Sequence, residues 1–227
     1  MSCCFDLVIF DCDGVLIDSE ILAIEAEVRV FTRHGLPVDA AFILDHCTGL
    51  SWKSELAFME AWFKVTLPPG ISAEAAQETE SLLEARLVAI GGIEAVLDGL
   101  TIPACVASSS TPERLRLSLG KVGLYARFAP HIFSSTMVQN GKPAPDLFLY
   151  AAREMQAAPD RCVVIEDSVH GVHAAKAAGM TAIGFTGGSH CRSGHAQRLL
   201  EAGADRVIGG HDALAPALAC PAVRARG

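Results

Sequence analysis

The sequence predicts an α/β fold: a parallel sheet covered on both faces by helices, with an all-helical block inserted after the first strand. Three observations predict it. Short apolar runs rich in strand formers alternate with helical patterns over most of the chain. The alternation stops between about residues 19 and 90, where no strand pattern occurs. Hydrophobic residues make up 51% of the chain, enough to fill a sizeable core, which excludes wholesale disorder.

The elements follow in order. FDLVIF (5–10), bounded by DCDG, reads as a buried strand. Further strands are read at 104–108 (ACVAS), 131–133, 162–166 (CVVIE), 181–185 (TAIGF) and 206–208. Thr111, Pro112 and Glu113 supply an N-cap, a first-turn proline and a favourable early acid for a helix that stops near Gly123. Three more helices are read at 146–155, from Ser168 or Val169 to Ala178 before Gly179, and at 194–202 before Gly203. The inserted block reads as four helices: 19–34 with Ser19 as cap and Gly35 as terminator, 39–47, 51–64 and 72–89. Such a block is a candidate lid, with Gly91 and Gly92 as its hinge on the return. The domains are therefore expected at 1–15 with 91–227, and at 16–90.

With 227 residues, the chain suits one core domain carrying a smaller insert. It holds 18 Lys and Arg against 26 Asp and Glu, a net charge of −8. That balance repels nucleic acid and anionic membrane surfaces, so neither is an expected partner. A phosphate ligand must then be held by local cations or a metal. The cysteines, Cys3, Cys4, Cys12, Cys47, Cys105, Cys162, Cys191 and Cys220, form no CxxC pair and no zinc-like spacing with histidine. Cys105 and Cys162 lie in apolar runs and read as core filler; reduced thiols point to a cytoplasmic compartment. No secretory leader and no bilayer-length apolar run is visible, and a monomer suffices for this architecture.

In a parallel sheet, ligands gather beyond the C-terminal ends of the strands. The first strand ends in Asp11, Cys12, Asp13 and Gly14. Alternate residues project to the same side, so two carboxylates can flank one substrate. One carboxylate can attack phosphorus, and the other can move protons to the leaving group and from water. The 162–166 strand leads into Glu166, Asp167 and Ser168. Acids crowded beside Asp11 and Asp13 require a cation, and a hard divalent ion such as Mg2+ meets that need. Lys142, in a Gly-Lys-Pro loop before the 146–155 helix, can place an ammonium on a phosphoryl group and on the nucleophile. Ser108 ends the ACVAS strand; its hydroxyl and the amides that follow, from Ser109 onward, can donate to phosphate oxygens. Each piece has an ordinary structural explanation when taken alone: a solvated turn, a helix cap, a surface lysine.

The segments DCDGVLIDSE, VASSS, GKPAPD and VVIEDSVHG occur in the order and spacing of the haloacid dehalogenase (HAD) superfamily. The set resembles the β-phosphoglucomutase-like phosphatase branch, and the resemblance spans the chain, including a helical cap after the first motif. It implies a Rossmann-like core and specific roles. Asp11 would be nucleophile and metal ligand, and Asp13 acid/base with its carbonyl on the metal. Ser108 and Lys142 would bind phosphate and Asp167 the metal, with Glu166 either a ligand or just behind one. The departures point to hydrolysis. Ala23 stands where mutases carry a cap histidine, Trp52 with Lys53 beside it stands at their cap arginine, and Thr111 with Pro112 replaces a Lys-Asn pair. Without those groups a bisphosphorylated intermediate cannot be held at both ends. Asp13 argues against dehalogenation, since the dehalogenases lack it. The expected function is thus a Mg2+-dependent phosphatase of a phosphosugar or sugar-acid phosphate; the alternatives are a phosphosugar mutase and a non-catalytic phosphate binder.

Within the insert, Glu20 and Lys53 are assigned to the substrate, Trp52 is read as reaching it and Trp62 as core. His34, His46, His131, His170 and His173 read as structural or solvated, and Gly187 with Gly188 as an ordinary loop.

Overall fold

The computed structural model describes residues 5–47 and 50–219. Its six strands are β1 (Leu7–Phe10), β2 (Ala104–Ser108), β3 (Ile132–Ser134), β4 (Cys162–Glu166), β5 (Thr181–Phe185) and β6 (Arg206–Ile208). They form one wholly parallel sheet in the order β3-β2-β1-β4-β5-β6, the α/β Rossmann-like arrangement expected from the sequence. The strand order reverses between β1 and β4, the kind of point at which parallel sheets bind ligands beyond their C-terminal edge. Phe10 pairs with Val106 on one side and Ile165 on the other, so Asp11, just past β1, comes level with Glu166 at the end of β4, while β2 continues two residues further to Ser108. Every residue of β1 and β4 is buried, because helices cover both faces.

The chain divides into two compact units: Met1–Ile17 with Ala89–Gly227, and Asp18–Val88. The first holds the sheet and helices α5 (Ile93–Gly99), α6 (Pro112–Lys121), α7 (Tyr125–Phe128), α8 (Asp146–Glu154), α9 (Val169–Ala177), α10 (His195–Glu201) and α11 (Leu214–Leu218). Its core joins Leu7, Ile9, Phe148, Val164 and Val172 with Cys105 and Cys162, which are wholly buried as apolar filler. The second unit holds α1 (Glu20–Arg33), α2 (Ala40–His46), α3 (Trp52–Phe63) and α4 (Ile71–Arg86) around a core of Val30, Phe31, Ile43, Met59 and Ile71. Among the described residues no helix is long and apolar enough to cross a membrane.

Side-chain capping explains four of the helix starts. Asp39, Ser51, Thr111 and Ser168 accept from the backbone N–H of Phe42, Ser54, Arg114 and Gly171 respectively. Ser19 precedes α1, but its hydroxyl makes no capping bond to the helix. The last helix of the insert ends earlier than its sequence pattern, at Arg86 rather than 89. Leu87 turns extended, Ile17 bridges Ala89, and Ile90 donates to the Leu16 carbonyl at 2.9 Å. This pairing draws both connectors into the sheet-bearing unit. Gly91 and Gly92 lie inside that unit, just past the Val88/Ala89 boundary, and Gly92 (φ +88°) is the N-cap of α5. Helices α5, α7 and α11 are four to seven residues long, too short to show a 3.6-residue period. Cys3, Cys4 and Cys220 lie outside the described residues.

Candidate active site

The strand ends bring Asp11, Lys142, Glu166 and Asp167 together. Asp11 follows β1 directly and is 7% exposed; Glu166 closes β4 at 1% and Asp167 follows at 5%. Lys142 reaches in from the loop before α8. Its Nζ donates to Asp11 Oδ1 at 2.7 Å and to Glu166 Oε1 at 2.7 Å. Burial drives the Asp11 carboxyl well above the ordinary carboxylate range; Lys142 pulls it down, while Glu166, Asp167 and Asp13 push it further up. Burial alone would lower the Lys142 ammonium, but the two carboxylates outweigh it and hold its proton above the ordinary lysine range.

Glu166 spends both oxygens. Oε1 takes Lys142, and Oε2 accepts from the Ser168 N–H at 2.9 Å and the Ser168 hydroxyl at 3.2 Å. Gly171 makes room for it: a Cβ there would fall 1.6 Å from Glu166 Oε1. One oxygen each from Asp11, Glu166 and Asp167 lie within 4.8 Å of one another, an oxygen-only donor set that suits a hard divalent cation.

Residues 12–17 fold into a tight turn in which Cys12 O accepts from Leu16 N at 2.9 Å and Ile17 N at 3.1 Å. Gly14 sits in this turn with φ +75°, and a Cβ on it would strike Asp167 Oδ2 at 1.9 Å. The turn leaves Asp13 partly exposed. Its Oδ2 accepts from the Ser110 hydroxyl at 2.7 Å, and the Arg114 guanidinium lies 3.7 Å from Oδ1. Ser108, on the strand beside β1, is buried; its Oγ accepts from the Ser110 N–H at 3.1 Å. Ser134 and Ser135 donate to the Ser110 and Ser109 carbonyls at 2.7 and 2.9 Å, pinning the serine loop. Ser109 is exposed.

Asp167 has supports that sequence reading does not find. His190 Nε2 lies 3.1 Å from Asp167 Oδ2, and His195 Nε2 donates to the Asp167 carbonyl at 2.6 Å. Burial lowers His195 below the ordinary histidine range, and its Nδ1 accepts from Arg198 at 3.0 Å. A Cβ on Gly188 would sit 2.8 Å from the His190 ring. The loop holding Gly187 and Gly188 is therefore part of the site's frame. Cys191 joins His190 and His195 with ligand atoms within 4.8 Å, although the sequence spacing carries no metal signature. Both nitrogens of His195 are already engaged by Asp167 and Arg198.

The insert residues lie apart in the helical unit. Glu20 opens α1 partly buried, and Lys53 is exposed near the start of α3. Of the two tryptophans, only Trp62 departs from its reading as core. Trp52 stacks on Phe31 with centroids 5.8 Å apart and donates to the Ser72 hydroxyl, whereas Trp62 is 54% exposed. His34, His46, His131, His170 and His173 are exposed.

The chain belongs to the haloacid dehalogenase-like hydrolases: residues 5–179 match that family. It is a phosphoric monoester hydrolase, like the relatives named as phosphatases. One is the 6-phosphogluconate phosphatase of Escherichia coli (strain K12), 30% identical over 186 residues, covering 82% of this chain and 84% of that protein. Among solved structures, a conserved haloacid dehalogenase-like protein of unknown function from Agrobacterium tumefaciens str. C58 is 43% identical, with a TM-score of 0.90 over 94% of this chain and 97% of that one. A HAD family hydrolase from Deinococcus radiodurans R1, solved with bound phosphate and sodium, is 34% identical, with a TM-score of 0.84 over 96% of each chain.

Proposed function

We propose that this phosphatase hydrolyses a small phosphosugar or sugar-acid phosphate through an aspartyl-phosphate on Asp11. The observation that carries the reading is the Lys142 ammonium, 2.7 Å from both Asp11 and Glu166 at the strand-order reversal. It opposes the effect of burial on the Asp11 carboxyl and fixes Oδ1, leaving one oxygen for the substrate. That oxygen attacks phosphorus as the ester oxygen leaves. Asp13, partly exposed and steadied by Ser110, gives a proton to the leaving oxygen and later takes one from the water that hydrolyses the aspartyl-phosphate. Lys142, the Ser108 hydroxyl and the Ser109 amide bind the phosphoryl oxygens. Glu166 holds Lys142 in place.

The oxygen-only set fits Mg2+, with Asp11, Asp167 and the Asp13 carbonyl as its holders; the ion would neutralise the phosphate and orient it. The helical unit is the lid and carries selectivity, with Glu20 and Lys53 among its substrate contacts. The test is phosphate release from a panel of phosphosugars and sugar-acid phosphates with Mg2+. Release that survives Asp11→Asn would refute the nucleophile. Conversion of β-glucose 1-phosphate to glucose 6-phosphate without net release would instead indicate a mutase.

A further inference from the structure

Asp13 is met from two sides, both within the sheet-bearing unit. On one side stands Ser110. Its N–H donates to Ser108 Oγ at 3.1 Å, and its carbonyl accepts from the wholly buried Ser134 hydroxyl at 2.7 Å. With its backbone tied at both groups, Ser110 donates its hydroxyl to Asp13 Oδ2 at 2.7 Å. On the other side lies Arg114, in the first turn of α6, whose N–H is taken by the Thr111 cap at 3.3 Å. Its guanidinium turns back to lie 3.7 Å from Asp13 Oδ1, beyond hydrogen-bond reach but close enough to act through charge. The Arg114 Nε is wholly buried and has no hydrogen-bond partner among the described residues. A buried N–H without an acceptor costs stability, so packing alone gives no reason for a guanidinium here. The charge of Asp13 does: that carboxyl and Asp11 repel each other, and Arg114 is the counterweight on the far side.

We propose that Ser110 and Arg114 are positioning residues for the reaction: Ser110 fixes one oxygen of the Asp13 carboxyl and Arg114 restrains the other, so that Asp13 delivers and recovers its proton in one orientation. This rests on the reading of Asp13 as acid and then base. In the first step the Asp13 O–H bond breaks, the leaving oxygen gains the proton and the ester P–O bond opens. In the second, the Asp13 carboxylate takes a proton from water, the water oxygen bonds to phosphorus and the aspartyl P–O bond opens. Asp13 ends as it began, and neither Ser110 nor Arg114 changes its own proton count. Their contribution is alignment, which proton transfer at hydrogen-bond distance demands. A loss of alignment has a recognisable mark. It slows the departure of a leaving group that needs a proton and spares one that does not, and it slows the water step for both.

The experiment compares phenyl phosphate, whose phenolate needs a proton as it departs, with 2,4-dinitrophenyl phosphate, whose leaving group does not. The second-order rate constant for leaving-group release is measured with Mg2+ and enzyme in excess, so that slow turnover suffices. In Ser110→Ala it should fall about 10- to 100-fold for phenyl phosphate and less than about threefold for the dinitrophenyl ester, a part of the roughly 10²–10⁴-fold that general acid catalysis contributes. Arg114→Ala should give the same pattern with a smaller loss, about three- to tenfold, as expected of charge acting without a hydrogen bond. Ser110→Thr keeps the hydroxyl and should keep the wild-type ratio between the esters; Arg114→Lys keeps the charge and should recover part of it. With the dinitrophenyl ester, acid-quenched Ser110→Ala should also carry more phosphoryl-Asp11 than the wild type, because the water step has slowed. The ratio between two esters in one preparation is independent of how much protein folds, and a merely structural role would depress both alike. Asp13→Asn sets the scale, with the same pattern and a larger loss. If Asp13→Asn shows the pattern and Ser110→Ala and Arg114→Ala do not, the positioning role is refuted and the reading of Asp13 stands. If Asp13→Asn depresses both esters equally, that reading falls and the positioning role falls with it.

Discussion

Two groups of buried acids set the character of this molecule, and they are built in opposite ways. In the sheet-bearing unit, Asp11 and Glu166 share the Lys142 ammonium, and every oxygen of Glu166 has a partner. In the helical unit, Glu27 and Glu55 have each other, a thiol and no cation. Burial raises a carboxyl in both groups, Asp11 in the first and Glu27 and Glu55 in the second. Only in the first does a neighbouring ammonium, that of Lys142, pull the carboxyl back down. The contrast separates buried acids that share a built-in cation from buried acids that are held without one.

The largest effect should come from removing the built-in cation. Lys142→Ala leaves Asp11 and Glu166 buried against each other, a loss of about 3–5 kcal/mol in stability measured by urea unfolding. The fraction that folds should show phosphate release reduced on the order of 10²–10³-fold. A variant of near-native stability would mean that the two acids are not ionised together.

The frame around Asp167 comes next. His190→Ala removes the ring 3.1 Å from Asp167 Oδ2. The apparent Mg2+ affinity, read from the metal dependence of phosphate release, should fall about 10–100-fold. An unchanged dependence would show that the position of Asp167 does not rest on this ring.

The helical acids should appear in the pH dependence of stability. Their folded-state values, about 8 for Glu27 and about 7 for Glu55, lie above the ordinary 4.5. The unfolded chain therefore releases these protons first as pH rises. Their contribution is complete below about pH 4.5 and is lost as pH rises through about 7 and then about 8. Tm should fall across that window, and Glu55→Gln should flatten the fall. An identical slope in the variant would place the sensitivity elsewhere. The smallest effect belongs to the exposed ladder on the other face of α1, where Arg29→Ala should cost under about 1 kcal/mol, read by the same unfolding experiment.

The first of these regions was legible in the sequence and the second was not. Asp11, Asp13, Ser108, Glu166 and Asp167 sit where apolar strand runs stop, so strand reading alone puts them on one edge of the sheet. Lys142 needed the motif order, because a loop lysine has no periodicity to betray it. His190, in a loop, and His195, at the start of α10, act on Asp167 through contacts made by the tertiary fold, which leave no local signal. Ser110 was passed over for Ser108 because both lie in one serine run, yet it is Ser110 that reaches Asp13. Nothing in the sequence distinguishes Glu27 and Glu55 from other helix acids. Only the packing of α1, α2 and α3 removes them from water. Trp62 misled for the converse reason: its size argued for a core position, but α3 turns that face outward.

The most direct test of the central claim is to mix enzyme, Mg2+ and a hydrolysed phosphate ester, quench in acid within one turnover, and map the protein by mass spectrometry. The account predicts one phosphoryl group, confined to the peptide containing Asp11 and absent from the Asp11→Asn protein. Phosphate released over the same interval with no phosphorylated peptide, or with the label on another residue, would contradict it.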